Sequence, residues 1–203
     1  MGQDLKQELL QTAERIQQFL EQDTFPEQIY PLELRKAVKD YPLQGGKRLR
    51  PALLLWACGM MGGDPEKALP AAAAVEIYHN WTLVHDDIID CDDIRRGNPS
   101  THIQLKNDLR NTYQLQNDEL CQKYGRDLAI LAGDIQQGWA CNAMLQLSQR
   151  GVSANVVLAL VQRMQESLNR ELISGEAIDV VFALRKPESV SSDEILKMIS
   201  GKT

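Results

Sequence analysis

The chain has 203 residues, 43% hydrophobic and 25% charged, enough for one helical domain with a real core over 1–203. Its formal net charge of -6 excludes generic nucleic-acid binding, and no apolar run approaches the length of a membrane span. Cys58, Cys91, Cys121 and Cys141 are widely spaced and lack a CxxC pair, so they read as reduced thiols; with no signal-peptide pattern, a cytoplasmic location is expected.

Residues 1–22 carry Leu5, Leu9, Ile16 and Leu20 at helical spacing, which predicts an amphipathic packing helix, broken by Pro26 and Pro31. Residues 32–41 read as a short second helix ending near Pro42. Then comes Gly45-Gly46-Lys47-Arg48-Leu49-Arg50-Pro51. Two glycines release the backbone, three cations follow, and Pro51 suits the first turn of a helix running to about Met61. A helix start flanked by Lys and Arg suits a phosphate site, and it equally suits a solvated basic turn.

After a turn at 62–65, residues 71–97 are apolar almost all round and run into Asp86, Asp87, Asp90, Asp92 and Asp93, then Arg95 and Arg96. This is expected to be a central, buried helix that Gly97-Asn98-Pro99 stops. At 3.6 residues per turn, Asp86, Asp90 and Asp93 share a face, and His79 lies two turns earlier on nearly the same face. A helix C-terminus already carries partial negative charge, so the dipole opposes this cluster. A cation resolves the conflict, and oxygen ligands of this kind suit Mg2+.

Residues 104–122 are polar and permit a surface helix or a mobile flap. Residues 128–147 predict an apolar helix containing Gly133-Asp134 and a core Trp139. Residues 155–181 predict a long helix with Val157, Leu160, Val161, Met164, Leu168, Leu172 and Ile173 on its inner face, and Ser192 or Asp193 caps a last helix. With no strand alternation, the fold class is all-α, with long helices packed side by side. Lys47 to Arg50 and Arg95 with Arg96 frame the acidic cluster. Cations hold phosphate oxygens directly and carboxylates hold them through a metal, which suits two diphosphate groups. No Ser/His/Asp or Cys/His arrangement offers a protein nucleophile.

GGKRLRP, the DDxxD at 86–90, RRG followed by NPSTH, LAGD at 131–134, GEAID at 175–179 and a final KT occur in the order that resembles trans-isoprenyl diphosphate synthases. This is the polyprenyl synthetase family, which includes farnesyl and geranylgeranyl diphosphate synthases. The resemblance covers residues 43–203. It implies an isoprenoid-synthase-type bundle of long helices around a central cavity, with the C-terminal helices missing, so that 1–203 is the N-terminal two-thirds of such a domain. It implies head-to-tail prenyl transfer. An allylic diphosphate (dimethylallyl, geranyl or farnesyl) ionises with the help of Mg2+, the double bond of isopentenyl diphosphate attacks the carbocation, and a proton leaves.

By the family's motifs, Asp86 and Asp90 are catalytic and ligate Mg2+ directly, with Asp87 completing the metal set. Arg95 and Lys202 contact the allylic diphosphate, Lys202 counting also as catalytic. Lys47, Arg50, His79 and Arg96 form the isopentenyl diphosphate pocket. Trp81, five positions before Asp86, is the chain-length gate, with Thr82 more directly beneath the site; the implied product is C15–C20. His102 reads as structural, Asp179 as a structural or supporting carboxylate, and Glu176 stands where many relatives have Gln. A homodimer through long helices is implied.

The family's second aspartate-rich motif does not follow the KT. Little condensation activity is therefore expected of the 203 residues alone, and apolar faces of the last helices should be exposed. Two other readings stay open. One is a shortened, non-catalytic synthase-like subunit that binds or regulates a catalytic homologue. The other is a class I terpene cyclase, which would use no isopentenyl diphosphate.

Overall fold

Helix α4 (Pro65–Ile89) is enclosed by its neighbours: Ala71, Ala72, Ala73, Ala74, Ile77, Trp81 and Val84 are all buried. Asp64 caps it, accepting from the Glu66 amide at 2.9 Å, and Pro65 opens the first turn, where a missing N–H costs nothing. A computed structural model describes residues 2–202, with side chains from residue 5 onward; Met1 of the expected first helix and Thr203 of the KT motif lie outside the described residues. The chain divides into two compact units, Met1–Val152 and Ser153–Thr203.

Around α4 the first unit places α1 (Gly2–Gln22), α2 (Leu32–Leu43), α3 (Leu49–Met60), α5 (Thr101–Tyr113) and α6 (Asp118–Leu145). α6 packs along both α4 and α5, and α3 lies against α4. Ile16 and Leu20 of α1, Val38 of α2, Ala52 and Leu55 of α3, and Ala132 and Trp139 of α6 are buried in the shared core. Full burial of a side chain such as Leu20 contributes about 1.5–3 kcal/mol. As expected, Trp139 is a core residue, and its indole N–H donates to Asp23 Oδ2 at 2.9 Å.

Two helices run through prolines. α2 does not end before Pro42 but includes it. Proline has no N–H for the carbonyl four residues back, here Val38, and the buried Gln136 of α6 supplies the donor, Nε2 reaching Val38 O at 2.9 Å. Pro70 orphans the Glu66 carbonyl in the same way, and Arg150 Nη1 donates to it at 2.7 Å. α2 ends at Leu43, near Pro42 as expected, and a distant side chain replaces the amide that the proline lacks.

α4 also stops earlier than expected, before Gly97-Asn98-Pro99. Cys91 takes a left-handed φ of 58° and the Asp92 amide bonds to the Asp87 carbonyl at 2.9 Å, a Schellman closure. A short antiparallel ladder follows, which the absence of strand alternation did not foretell: β1 (Ile94–Arg95) pairs with β2 (Asn98–Pro99). Arg96 and Gly97 form its two-residue loop with φ of 54° and 83°, the backbone of a type I′ turn. Residues 104–122 are not a flap. They belong to α5 and the start of α6, with only 114–117 between the helices. The two helices close on Gly125, where a Cβ would lie 2.5 Å from the His102 carbonyl oxygen.

The second unit holds α7 (Ala154–Arg163), a π-helical turn (Met164–Asn169), α8 (Arg170–Phe182) and α9 (Ser192–Lys202). The long helix is present as expected, with the π turn inside it. Val157 and Met164 are buried, whereas Leu160, Leu168 and Ile173 of the expected inner face are exposed. The last helix is capped by Ser191 rather than Ser192 or Asp193. The Ser191 amide donates to Glu194 Oε2 at 2.9 Å and the Glu194 amide donates back to Ser191 Oγ at 3.3 Å, a capping box. Among the described residues no helix is long and apolar enough to cross a membrane.

Candidate active site

Two segments meet at the C-terminal half of α4. The first is the glycine turn before α3. Gly45 and Gly46 have φ of 82° and 136°, and Arg48 follows at 47° in the left-handed region. That backbone turns the Arg48 side chain inward, where it is 1% exposed: Nη1 donates to Glu76 Oε1 at 2.6 Å, and Nη2 to Pro42 O at 2.6 Å and Gln17 Oε1 at 3.2 Å. Lys47 and Arg50, on either side of this anchor in the chain, are exposed. The RRG hairpin is tied to the same turn. Arg96 Nη1 donates to Gly45 O at 3.0 Å, and its guanidinium covers Gly46, where a Cβ would come within 3.3 Å.

Arg50 Nη1 donates to His79 Nε2 at 3.2 Å, so the ring proton sits on Nδ1. Burial lowers the His79 pKa to about 4, with Arg50, Arg96 and Arg95 adding to the shift and Glu76 opposing it. The imidazole is therefore neutral at pH 7. Of the residues expected to hold isopentenyl diphosphate, Arg50, His79 and Arg96 stand together, and Lys47 is on the turn that Arg96 braces.

The acidic side is divided. Arg95 Nη2 lies 3.4 Å from Asp86 Oδ2 and 3.3 Å from Asp92 Oδ2, while its Nε donates to Asp87 Oδ1 at 2.6 Å. Arg95 Nη2 also bonds Asp87 Oδ1, and Asp87 Oδ2 accepts the Tyr41 hydroxyl. Asp87 is 0% exposed. The expectation that Asp87 ligates Mg2+ is corrected on that ground: both oxygens are spent inside the protein. Burial, followed by the bond to Asp87, pushes the Tyr41 pKa up, so the phenol keeps its proton and donates. Asp86 is partly exposed and Asp90 is exposed one turn further on, its amide bonded to the Asp86 carbonyl at 2.8 Å. Asp93 does not share their face as expected, because the helix has ended. It lines a separate cavity of about 660 Å³ with Cys91, His102 and Lys106.

Among the described residues no three His, Cys, Asp or Glu side chains form a metal cage. Asp86 and Asp90 fit Mg2+ differently: this ion uses one or two carboxylates, keeps several waters and takes other oxygens from phosphates. Thr82, one turn before Asp86, donates its hydroxyl to His79 O at 2.7 Å. Trp81 is buried, 4.9 Å from the Tyr78 ring and 6.0 Å edge-on from His85.

Three residues with clear parts in this geometry were not singled out from the sequence. Tyr41 lies in a segment with no motif. Glu76 lies in the apolar stretch 71–97, outside any motif. His85 packs over Gly133, where a Cβ would lie 2.4 Å from Nε2, and pairs with Asp134 at 3.6 Å. The Gly-Asp inside an apolar helix was the available signal for it. His102, expected to be structural, has its Nδ1 3.2 Å from Ser100 Oγ. In the second unit, Lys202 Nζ lies 2.5 Å from Asp179 Oδ2 and 3.1 Å from Glu176 Oε2, so Asp179 orients the lysine.

A helical fold that gathers arginines and a DDxxD segment at one end of a buried helix has the architecture of the isoprenoid synthases. A model of the polyprenyl synthetase family matches residues 32–203, and the chain belongs to that family. It is 40% identical over 160 residues to a geranylgeranyl diphosphate synthase of Saccharolobus solfataricus, covering 78% of this chain and 41% of that one. It is 37% identical over 173 residues to one of Methanosarcina mazei, covering 85% and 46%. Among solved structures, a geranylgeranyl pyrophosphate synthetase of Pyrococcus horikoshii superposes with a TM-score of 0.79 at 30% identity, covering 99% of this chain and 53% of that one. A Corynebacterium glutamicum geranylgeranyl pyrophosphate synthase complexed with isoprenyl diphosphate and magnesium gives 0.78 at 29% identity, covering 98% and 56%. The chain spans less than half the length of these two curated relatives.

Proposed function

We propose that this chain supplies one wall of a prenyltransferase that condenses isopentenyl diphosphate with an allylic diphosphate to give a trans-polyprenyl diphosphate of C15–C20. The observation that supports this reading is the joining of two basic motifs beside one acidic motif: Arg96 on the Gly45 carbonyl at 3.0 Å and Arg50 on His79 at 3.2 Å. Asp86 and Asp90 would hold Mg2+, which when bound supplies positive charge to the allylic diphosphate as it leaves. Arg95 grips the same diphosphate, its planar fork matching phosphate geometry. Lys202, oriented by Asp179, is proposed as a further contact to it. Arg50, Arg96 and Lys47 hold the diphosphate of isopentenyl diphosphate. His79, neutral and accepting from Arg50 at Nε2, keeps Nδ1–H as a donor. These groups position two substrates and balance their charge.

Trp81 and Thr82 are proposed as the chain-length gate, and the relatives named for geranylgeranyl products support a length near C20. A homodimer belongs to the same reading, supported by exposed Ile130 and Leu131 on α6. So does a cytoplasmic location, supported by four free thiols. The test is a purified chain given radiolabelled isopentenyl diphosphate, geranyl diphosphate and Mg2+, with inorganic pyrophosphate binding measured in parallel. Mg2+-dependent pyrophosphate binding with little condensation is expected, because the second aspartate-rich motif is not in these residues. A chain that binds no pyrophosphate in the presence of Mg2+ would sink the proposal.

A further inference from the structure

Asp87 and Arg95 form a buried-to-surface relay whose inner end is a tyrosine. The Tyr41 hydroxyl, on α2, donates to Asp87 Oδ2 on α4 and accepts the amide of Thr101, the first residue of α5, at 3.1 Å. Tyr41 is 2% exposed. One oxygen atom therefore joins three elements and reaches both ends of the hairpin: Asp87 holds Arg95 of β1, and Thr101 follows β2 by two residues. A ladder of two residues per strand has little stability of its own. An arginine side chain on such a ladder also carries about 2 kcal/mol of rotamer entropy that binding must overcome.

We propose that Tyr41 is a positioning residue of this site, locking Asp87 so that Asp87 holds the Arg95 guanidinium ready at Asp86 for an anionic oxygen ligand. The inference rests on the reading of Arg95 as a diphosphate contact. Asp87 can present Oδ1 to both Nε and Nη2 of Arg95 only while its carboxylate plane is fixed. Tyr41 fixes that plane from the opposite oxygen. Without the hydroxyl, a buried carboxylate oxygen and the Thr101 amide each lose a partner, and the carboxylate turns to recover one. The guanidinium then loses its fork and the hairpin one of its pins.

Tyr41→Phe keeps the ring and removes only the hydroxyl. Two readouts are taken on the full 203-residue chain. The first is the Nε–H resonance of Arg95, assigned by its loss in Arg95→Lys, and its exchange with water. The second is the dissociation constant of inorganic pyrophosphate with Mg2+, by calorimetry. Exchange at Arg95 at least about tenfold faster in Tyr41→Phe, and pyrophosphate binding about tenfold weaker, are expected; a tenfold change corresponds to about 1.4 kcal/mol. Unchanged Arg95 exchange in Tyr41→Phe overturns the proposal. If the wild type binds no pyrophosphate yet Tyr41→Phe still releases Arg95, the diphosphate reading falls and the positioning role stands. Should Tyr41→Phe unfold, Asp87→Asn is read in the same way, because the neutral amide keeps the volume and loses the charged fork.

Discussion

Glu76→Gln tests what orients the basic turn. Arg48 and Glu76 side chains are 1% and 5% exposed, and their contact is 2.6 Å. Breaking a buried ion pair by removing one partner costs about 3–5 kcal/mol, because the remaining charge is stranded. Arg48 keeps Pro42 O at 2.6 Å and Gln17 Oε1 at 3.2 Å, so the lower end applies, about 3 kcal/mol. With a urea slope of roughly 2 kcal/mol per molar, the unfolding midpoint falls by roughly 1.5 M. The assay is urea unfolding followed by circular dichroism. The double variant Glu76→Leu with Arg48→Met should cost less than Glu76→Gln, since no charge is left buried. A cost under about 1 kcal/mol for Glu76→Gln, or a double variant worse than the single, refutes the reasoning.

The depressed His79 pKa has a pH signature. The unfolded histidine, near 6.5, binds a proton that the folded one refuses until about pH 4, so His79 contributes stability above pH 6.5 that is lost as pH falls towards 4. Imidazole proton NMR should show one histidine titrating well below the usual range and absent in His79→Gln; a His79 titrating near 6.5 contradicts the burial argument. Gly175→Ala should destabilise the α8–α9 contact by about 1–3 kcal/mol, read as faster amide exchange in α9. The new Cβ would sit 2.3 Å from the Lys202 amide nitrogen and 2.5 Å from the Gly201 carbonyl carbon. Gln136→Leu leaves the Val38 carbonyl without its donor, and urea unfolding should show a loss of about 1–3 kcal/mol; an unchanged midpoint would mean that Pro42 needs no substitute donor.

The helices were legible because their apolar periodicity and caps are local. The alanine run announces α4 and its burial, although the helix already begins at Pro65, inside the turn expected at 62–65. What was illegible is what depends on distant partners. Pro42 marks the helix end correctly, but nothing local shows that Gln136, on another helix, satisfies the Val38 carbonyl. Cys91 reads as mid-segment because left-handed helix ends usually show glycine, and the cysteine gives no such sign. The hairpin escaped for a related reason: two-residue strands cannot show alternation. In the candidate site, Arg50, Arg95 and Arg96 were singled out because charge within a motif is visible in the chain, and His79 because it falls in line with the aspartates on the helix. Tyr41, Glu76 and His85 were missed because each acts on a motif residue from outside it.

Five carboxylates in eight positions do not act alike, and the helix itself sorts them. Asp86 and Asp90 lie one turn apart on a stripe that reaches solvent. Asp87, about 100° around the helix, faces the core. Cys91 ends the helix, so Asp92 turns back to Arg95 and Asp93 leaves for another cavity. Arg95 touches both sets, the outward Asp86 and the inward Asp87. An anion arriving at Asp86 meets an Arg95 that Asp87 already orients, and the other oxygen of Asp87 is bound to Tyr41. Affinity at the surface of the site is therefore set partly by a hydroxyl buried beneath it, and a substitution in α2 can alter binding without touching any group the ligand meets.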